Sequence, residues 1–146
     1  MTRPEALLHH GANLLVAGTG LVYGWMLYLV TPTDDFAVVN HPLQPDFQAW
    51  HILLAPLLIF AIGYSWQMHV WARIRYDFPH KRKTGLILFA LVLPMIVSGY
   101  ALQVSVEETA REIWLWMHLV ASGGWILAYI VHLALPNPQM DLPADF

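Results

Sequence analysis

Four stretches of this chain are apolar for long enough to cross a lipid bilayer: Ala6 to Val30, Phe47 to Ala72, Gly85 to Val104 and Ile113 to Leu135. An α-helix needs about 20 such residues to span a hydrocarbon core roughly 30 Å thick. Charged positions collect between these stretches, not inside them. The pattern predicts an all-α fold, a transmembrane antiparallel four-helix bundle over residues 1–135, with a Pro-rich tail over residues 136–146. The three connections are too short for a separate catalytic domain, so any chemistry is expected inside the bundle or on a partner subunit. The first stretch has no small-residue cleavage motif and is itself long enough to span, so it is expected to be retained rather than removed as a signal peptide.

Composition agrees with a membrane setting. Of 146 residues, 58% are hydrophobic and only 12% are charged, far from the mix of a water-soluble domain. There is no cysteine, which excludes disulfides, thiolate-held iron–sulfur clusters, c-type haem attachment and cysteine nucleophiles. Trp50, Trp66, Trp71, Trp114 and Trp116 fall near span ends, as interfacial belts do, while Trp25 and Trp125 lie deeper. Pro56 and Pro94 fall within spans, where they are expected to kink the helix.

Charge sets the expected orientation. Arg3 precedes the first span, and Arg73, Arg75, Lys81, Arg82 and Lys83 crowd the connection between the second and third. Opposite them lie Asp34, Asp35, Asp46, Glu107, Glu108 and Glu112, with Arg111 alone. By the positive-inside rule both termini and the basic connection are cytoplasmic, in a multi-pass protein of a bacterial inner membrane. The basic residues also suit contact with anionic lipid.

The histidines carry the candidate chemistry. His118 and His132 are fourteen residues apart in one apolar run, about 21 Å along a helix axis and about 40° short of four full turns. Both imidazoles thus leave the helix on nearly the same side, one toward each membrane face, and ionisable groups at such depths mark function. The orientation puts His51 near the outer face with His118, and His9, His10 and His69 near the inner face with His132; His41 and His80 fall in loops. Two imidazoles facing each other across a bundle suit low-spin haem iron, which takes one ligand from each side of its ring. A zinc site would usually add carboxylates or thiolates, which the spans lack away from their ends. Ala121, Ser122, Gly123 and Gly124, with Gly18, Gly20, Gly24, Ala55, Ala61 and Gly63, taken alone suit close helix packing as well as they suit a macrocycle; together with the histidines, haem grooves are the better account.

With His10-Gly11-Ala12-Asn13 and Gly24 in span one, Trp50-His51-Ile52-Leu53-Leu54-Ala55 opening span two, and His118 and His132 in span four, the chain resembles the four-helix cytochrome b561-like superfamily. This group includes the membrane cytochrome b subunits of formate dehydrogenases and nickel–iron hydrogenases. The resemblance runs from about Arg3 to Leu135; it departs from the family at Gly11, where a tryptophan follows the histidine in the relatives. It implies two b-type haems, the outer held by His51 and His118 and the inner by His10 and His132. His69 stands as the rival inner ligand, since eighteen residues from His51 is five whole α-helical turns; the resemblance favours it as a partner of haem propionates, with His9 its interfacial counterpart.

The resemblance further implies an electron-transfer subunit that links a quinone pool to a larger redox complex with iron–sulfur or cytochrome subunits. Membrane lipid and quinone or quinol are the other expected partners; nucleic acid is not one. Two alternatives stay open: a stand-alone oxidoreductase working between quinone and a small oxidant such as superoxide, and a haem-free bundle with structural or metal-transport histidines.

Overall fold

The computed structural model describes residues 2–76 and 81–136; His80 and the Pro-rich tail from residue 137 onward lie outside the described residues. The described residues are helical, without strands, and divide into two units, Met1–Ala72 and Arg73–Phe146.

In the first unit, α1 (Arg3–Tyr28) begins at a capping box. The Thr2 N–H donates to Glu5 Oε2 at 2.6 Å, and the Glu5 N–H donates back to Thr2 Oγ1 at 3.4 Å. Pro4 in the first turn has no N–H to leave orphaned. The connection that follows is tied at both ends by Asn40, whose side chain donates to the Leu27 carbonyl (2.9 Å) and whose backbone N–H donates to Gln44 Oε1 (3.1 Å). One of the unpaired carbonyls at a helix C-terminus is thereby satisfied. Then α2 (Gln44–Tyr64) runs back along α1, with Pro56 inside it. Ala12, Asn13 and Val16 of α1 are buried, as are Leu58, Ala61 and Ile62 of α2.

At Ser65 the helix changes type. Trp66–Trp71 forms a π-helical turn, followed by the short α3 (Ala72–Arg75). The Ser65 hydroxyl donates to the carbonyls of Ala61 (3.1 Å) and Ile62 (3.3 Å) where the wider turn begins. The span predicted from Phe47 to Ala72 thus changes helix type after Tyr64.

The second unit pairs α4 (Arg82–Val104) with α5 (Glu108–Ala134). Lys81, the residue before α4, adopts left-handed backbone geometry with φ 56°. The turn between the helices is short and capped from both sides. Glu107 accepts from the N–H groups of Thr109 (2.9 Å) and Ala110 (2.6 Å), and the Arg111 guanidinium donates to the Leu102 carbonyl at the end of α4 (3.0 Å). Both devices set charge against the helix ends as the helix dipoles favour. Gly124 lets α5 approach Leu91 of α4 closely; a Cβ there would lie 3.3 Å from a Leu91 methyl.

Three helices, α2, α4 and α5, are long and apolar enough to cross a membrane, with mean hydropathy 1.6, 2.2 and 1.4. The fourth predicted crossing, α1, has 26 residues but is not among them, its apolar run being diluted by His9, His10, Asn13 and Thr19. Large apolar side chains such as Leu53, Leu93, Val120 and Leu127 are exposed, the arrangement of helices whose outer surface meets lipid.

Candidate functional site

Within each unit the helices run antiparallel, so the start of one lies beside the end of the other, and the histidines of α2 and α5 pack against the backbones of α1 and α4. His51, early in α2, lies over Gly20, late in α1; a Cβ on Gly20 would be 2.7 Å from Cε1 of the ring. His118, early in α5, lies over Gly99, late in α4, with the corresponding distance 3.1 Å. His132, at the end of α5, lies over Gly85 at the start of α4, at 3.8 Å.

All three rings turn Nδ1 toward their neighbour helix. His51 Nδ1 is 3.0 Å from the Val16 carbonyl and 3.5 Å from Thr19 Oγ1. His118 Nδ1 is 3.2 Å from the Met95 carbonyl and 3.3 Å from Ser98 Oγ. His132 Nδ1 is 2.8 Å from Thr84 Oγ1. The direction of these bonds follows from what the acceptors can do. A carbonyl only accepts, so Nδ1 of His51 and of His118 carries the hydrogen. The Thr84 hydroxyl has one proton, which it donates to the Lys81 carbonyl at 3.0 Å. With its proton on that carbonyl it accepts from His132 Nδ1, whereas a hydroxyl turned toward Nδ1 pairs with the other tautomer. Thr19 and Ser98 likewise give their protons to carbonyls of their own helices, Leu15 (2.7 Å) and Pro94 (2.6 Å). In a neutral ring protonated at Nδ1 the lone pair is on Nε2, the tautomer of a histidine that binds metal through Nε2 and is oriented by a bond at its other nitrogen.

His9 is the opposite case. Its Nε2 is 2.7 Å from Ser65 Oγ, and that hydroxyl also reaches the Ala61 and Ile62 carbonyls. Which of the two donates depends on the tautomer of His9. His9 thus joins α1 to α2, a half-buried role beyond the interfacial one read from sequence. His10, the next residue, is exposed on α1. Asn13, which the sequence pairs with His10 in His-x-x-Asn, is buried and donates its side-chain N–H to the main-chain carbonyl of His9 (2.8 Å).

His69 lies within the π-helical turn. A π turn takes more residues than an α turn, so His69 no longer stands a whole number of α turns beyond His51. The five-turn register inferred for these two from an interval of eighteen residues is shifted by the π turn. His41, in the first connection, accepts at Nδ1 from the Leu43 N–H (3.1 Å) and faces the half-exposed Trp25 at 6.3 Å between ring centroids.

The small residues divide by what they meet. Gly20 makes room for an imidazole, Gly124 for Leu91, and Ala61 and Ala121 are buried. Cβ atoms at Gly18, Gly24, Gly63 and Gly123 would meet nothing within 4 Å. Sequence reasoning missed Thr19, Thr84, Ser98, Gly85 and Gly99 as partners of the histidines. Their signal is a hydroxyl residue followed directly by glycine: Thr19-Gly20, Thr84-Gly85 and Ser98-Gly99 each seat a ring, while Ser122-Gly123 lies on the same helix as His118, to whose carbonyl Ser122 donates. Among the described residues no three His, Cys, Asp or Glu side chains gather in one place.

Compared with known proteins, the chain matches no protein family, no curated protein and no solved structure.

Proposed function

We propose that this chain is a di-haem membrane cytochrome b of four crossing helices, α1 included. In this reading His51 and His118 hold an outer haem, His10 and His132 hold an inner one, and His69 approaches the inner propionates. One observation carries the reading. Three imidazoles on long apolar helices each turn Nδ1 to the neighbouring helix, and at His51 and His118 the carbonyl acceptor there leaves the lone pair at Nε2, as in haem-binding histidines. A di-imidazole iron asks for pairs of histidines, not clusters of three, so the donor set fits it better than a tetrahedral zinc site.

A bound haem would supply one-electron chemistry between ferrous and ferric iron. The chain's own share is to orient imidazoles, to keep water from their surroundings with apolar helix faces, and to hold the ends of the helices at the two membrane surfaces. The basic residues around α3 and the start of α4 support an orientation with both termini in the cytoplasm of a bacterium. Electrons would pass between a quinone pool and a partner redox subunit or carrier.

A pyridine haemochrome assay on the purified chain tests this. Two haems per chain are expected; none overturns the reading. Replacing His51 or His118 by alanine should each remove the same low-spin haem, leaving one per chain. Of His10→Ala and His69→Ala, only the first should abolish the low-spin spectrum of the second haem.

A further inference from the structure

We infer that Thr84, Ser98 and Thr19 are positioning residues which fix the tautomer of His132, His118 and His51 and thereby set the donor strength of Nε2 toward a bound haem. The inference rests on the di-haem reading for its last clause only; the tautomers of His51 and His118 follow from their carbonyl acceptors, and that of His132 is part of the inference.

One local device occurs three times. On α1 it is the Val16 carbonyl, the Thr19 hydroxyl and Gly20; on α4 it is the Met95 carbonyl, the Ser98 hydroxyl and Gly99. At the start of α4 it is the Lys81 carbonyl, the Thr84 hydroxyl and Gly85. In each case the members stand at positions i, i+3 and i+4, which share one helix face. The glycine admits the ring to the backbone. A hydroxyl whose proton stays on its own helix presents a lone pair to the ring and favours an N–H there. At His51 and His118 a ring flipped to the Nε2–H tautomer would also set its Nδ1 lone pair against the Val16 or Met95 carbonyl and lose that bond.

The three copies differ in strength. Thr84 Oγ1 lies nearest its imidazole, at 2.8 Å, against 3.3 Å for Ser98 and 3.5 Å for Thr19, whose rings also donate to the Met95 and Val16 carbonyls. Removing a hydroxyl should therefore matter most at Thr84. An acceptor on Nδ1–H makes the ring a more basic ligand, which favours ferric iron. Its loss should raise the reduction potential of the haem concerned.

The test compares Thr84→Val with Thr84→Ser, and with Ser98→Val and Thr19→Val, in the purified full chain. Redox titration should show an upward shift of one haem in Thr84→Val, smaller shifts of the other haem in Ser98→Val and Thr19→Val, and recovery in Thr84→Ser. Independently, nitrogen NMR of imidazole-labelled protein prepared without haem should show His51, His118 and His132 as Nδ1–H tautomers, with His132 losing that preference in Thr84→Val. A wild type that binds two haems while Thr84→Val keeps the wild-type potential and tautomer overturns the inference. A wild type without haem overturns the function proposed above, and the tautomer measurement alone then judges this assignment: Nε2–H rings would sink it.

Discussion

At the scale of single residues, glycines set how closely an imidazole can approach a neighbouring backbone, and the three seats differ enough to be ranked. A methyl group on Gly20 would overlap the ring of His51 at 2.7 Å, one on Gly99 would crowd His118 at 3.1 Å, and one on Gly85 would make ordinary contact with His132 at 3.8 Å. The series Gly20→Ala, Gly99→Ala, Gly85→Ala is thus expected to perturb the low-spin absorbance of its haem in decreasing order. An equal effect at all three sites would count against the seats. The spacing of His118 and His132 could be read from sequence because both lie on one helix, whose rise and turn are fixed. Their seats could not, because a seat belongs to a different helix and depends on which turn lies opposite. Gly20 illustrates the limit: sequence placed it among small residues with room for a macrocycle, whereas the antiparallel packing of α2 gives that room to His51. Hydroxyl–glycine pairs in apolar segments are the local trace that would have exposed all three.

At the scale of elements, helix ends and breaks decide where side chains point. Glu107 accepts from the N–H groups of Ala110 and Thr109, and these bonds hold its carboxyl below the ordinary value of 4.5. A carboxylate whose folded value is depressed stabilises the folded form at all pH above the unfolded value, and that contribution is lost as pH falls through the folded one. The protection of the Thr109 and Ala110 amides, relative to their intrinsic exchange at each pH, should accordingly fall on acidification through the carboxyl range. In Glu107→Gln, which keeps an acceptor but cannot titrate, that protection should be lower at neutral pH and constant across the range. At the far end of the first unit, Ser65 joins α2 to His9 and lies at the start of the π-helical turn. Ser65→Ala removes the hydrogen-bond partner of His9 Nε2, which should cost about 1 kcal/mol of thermal stability. No loss of stability would show that His9 finds another partner. The start of this turn at Ser65 was hidden in the sequence, since nothing in Ser65-Trp66-Gln67 departs from α-helical patterning.

At the scale of the whole molecule, length and hydropathy made the helical, membrane-type character plain, and three helices meet the measure for crossing. In the helix that does not, α1, polar residues serve its neighbour, Thr19 for His51 and His9 for Ser65, as Thr84 and Ser98 of α4 serve α5. Orientation is open to a direct check, because the chain has no cysteine to give background. Single cysteines introduced at Thr2 and at Val106 should report opposite sides. Val106→Cys, in the exposed turn between α4 and α5, should react with an impermeant thiol reagent on intact spheroplasts, and Thr2→Cys only after the membrane is opened. The reverse pattern would invert the orientation inferred from charge.

Each of the three seats is built wholly within one antiparallel helix pair, by α1 for α2 or by α4 for α5. The order of biogenesis follows from that confinement. A hairpin can seat its imidazoles as soon as its two helices meet in the bilayer, before the rest of the chain has been made or a cofactor has arrived. The rotamer entropy of these rings is then lost during hairpin formation, so a ligand that arrives later meets side chains already turned to receive it and spends correspondingly less of its binding free energy on ordering them.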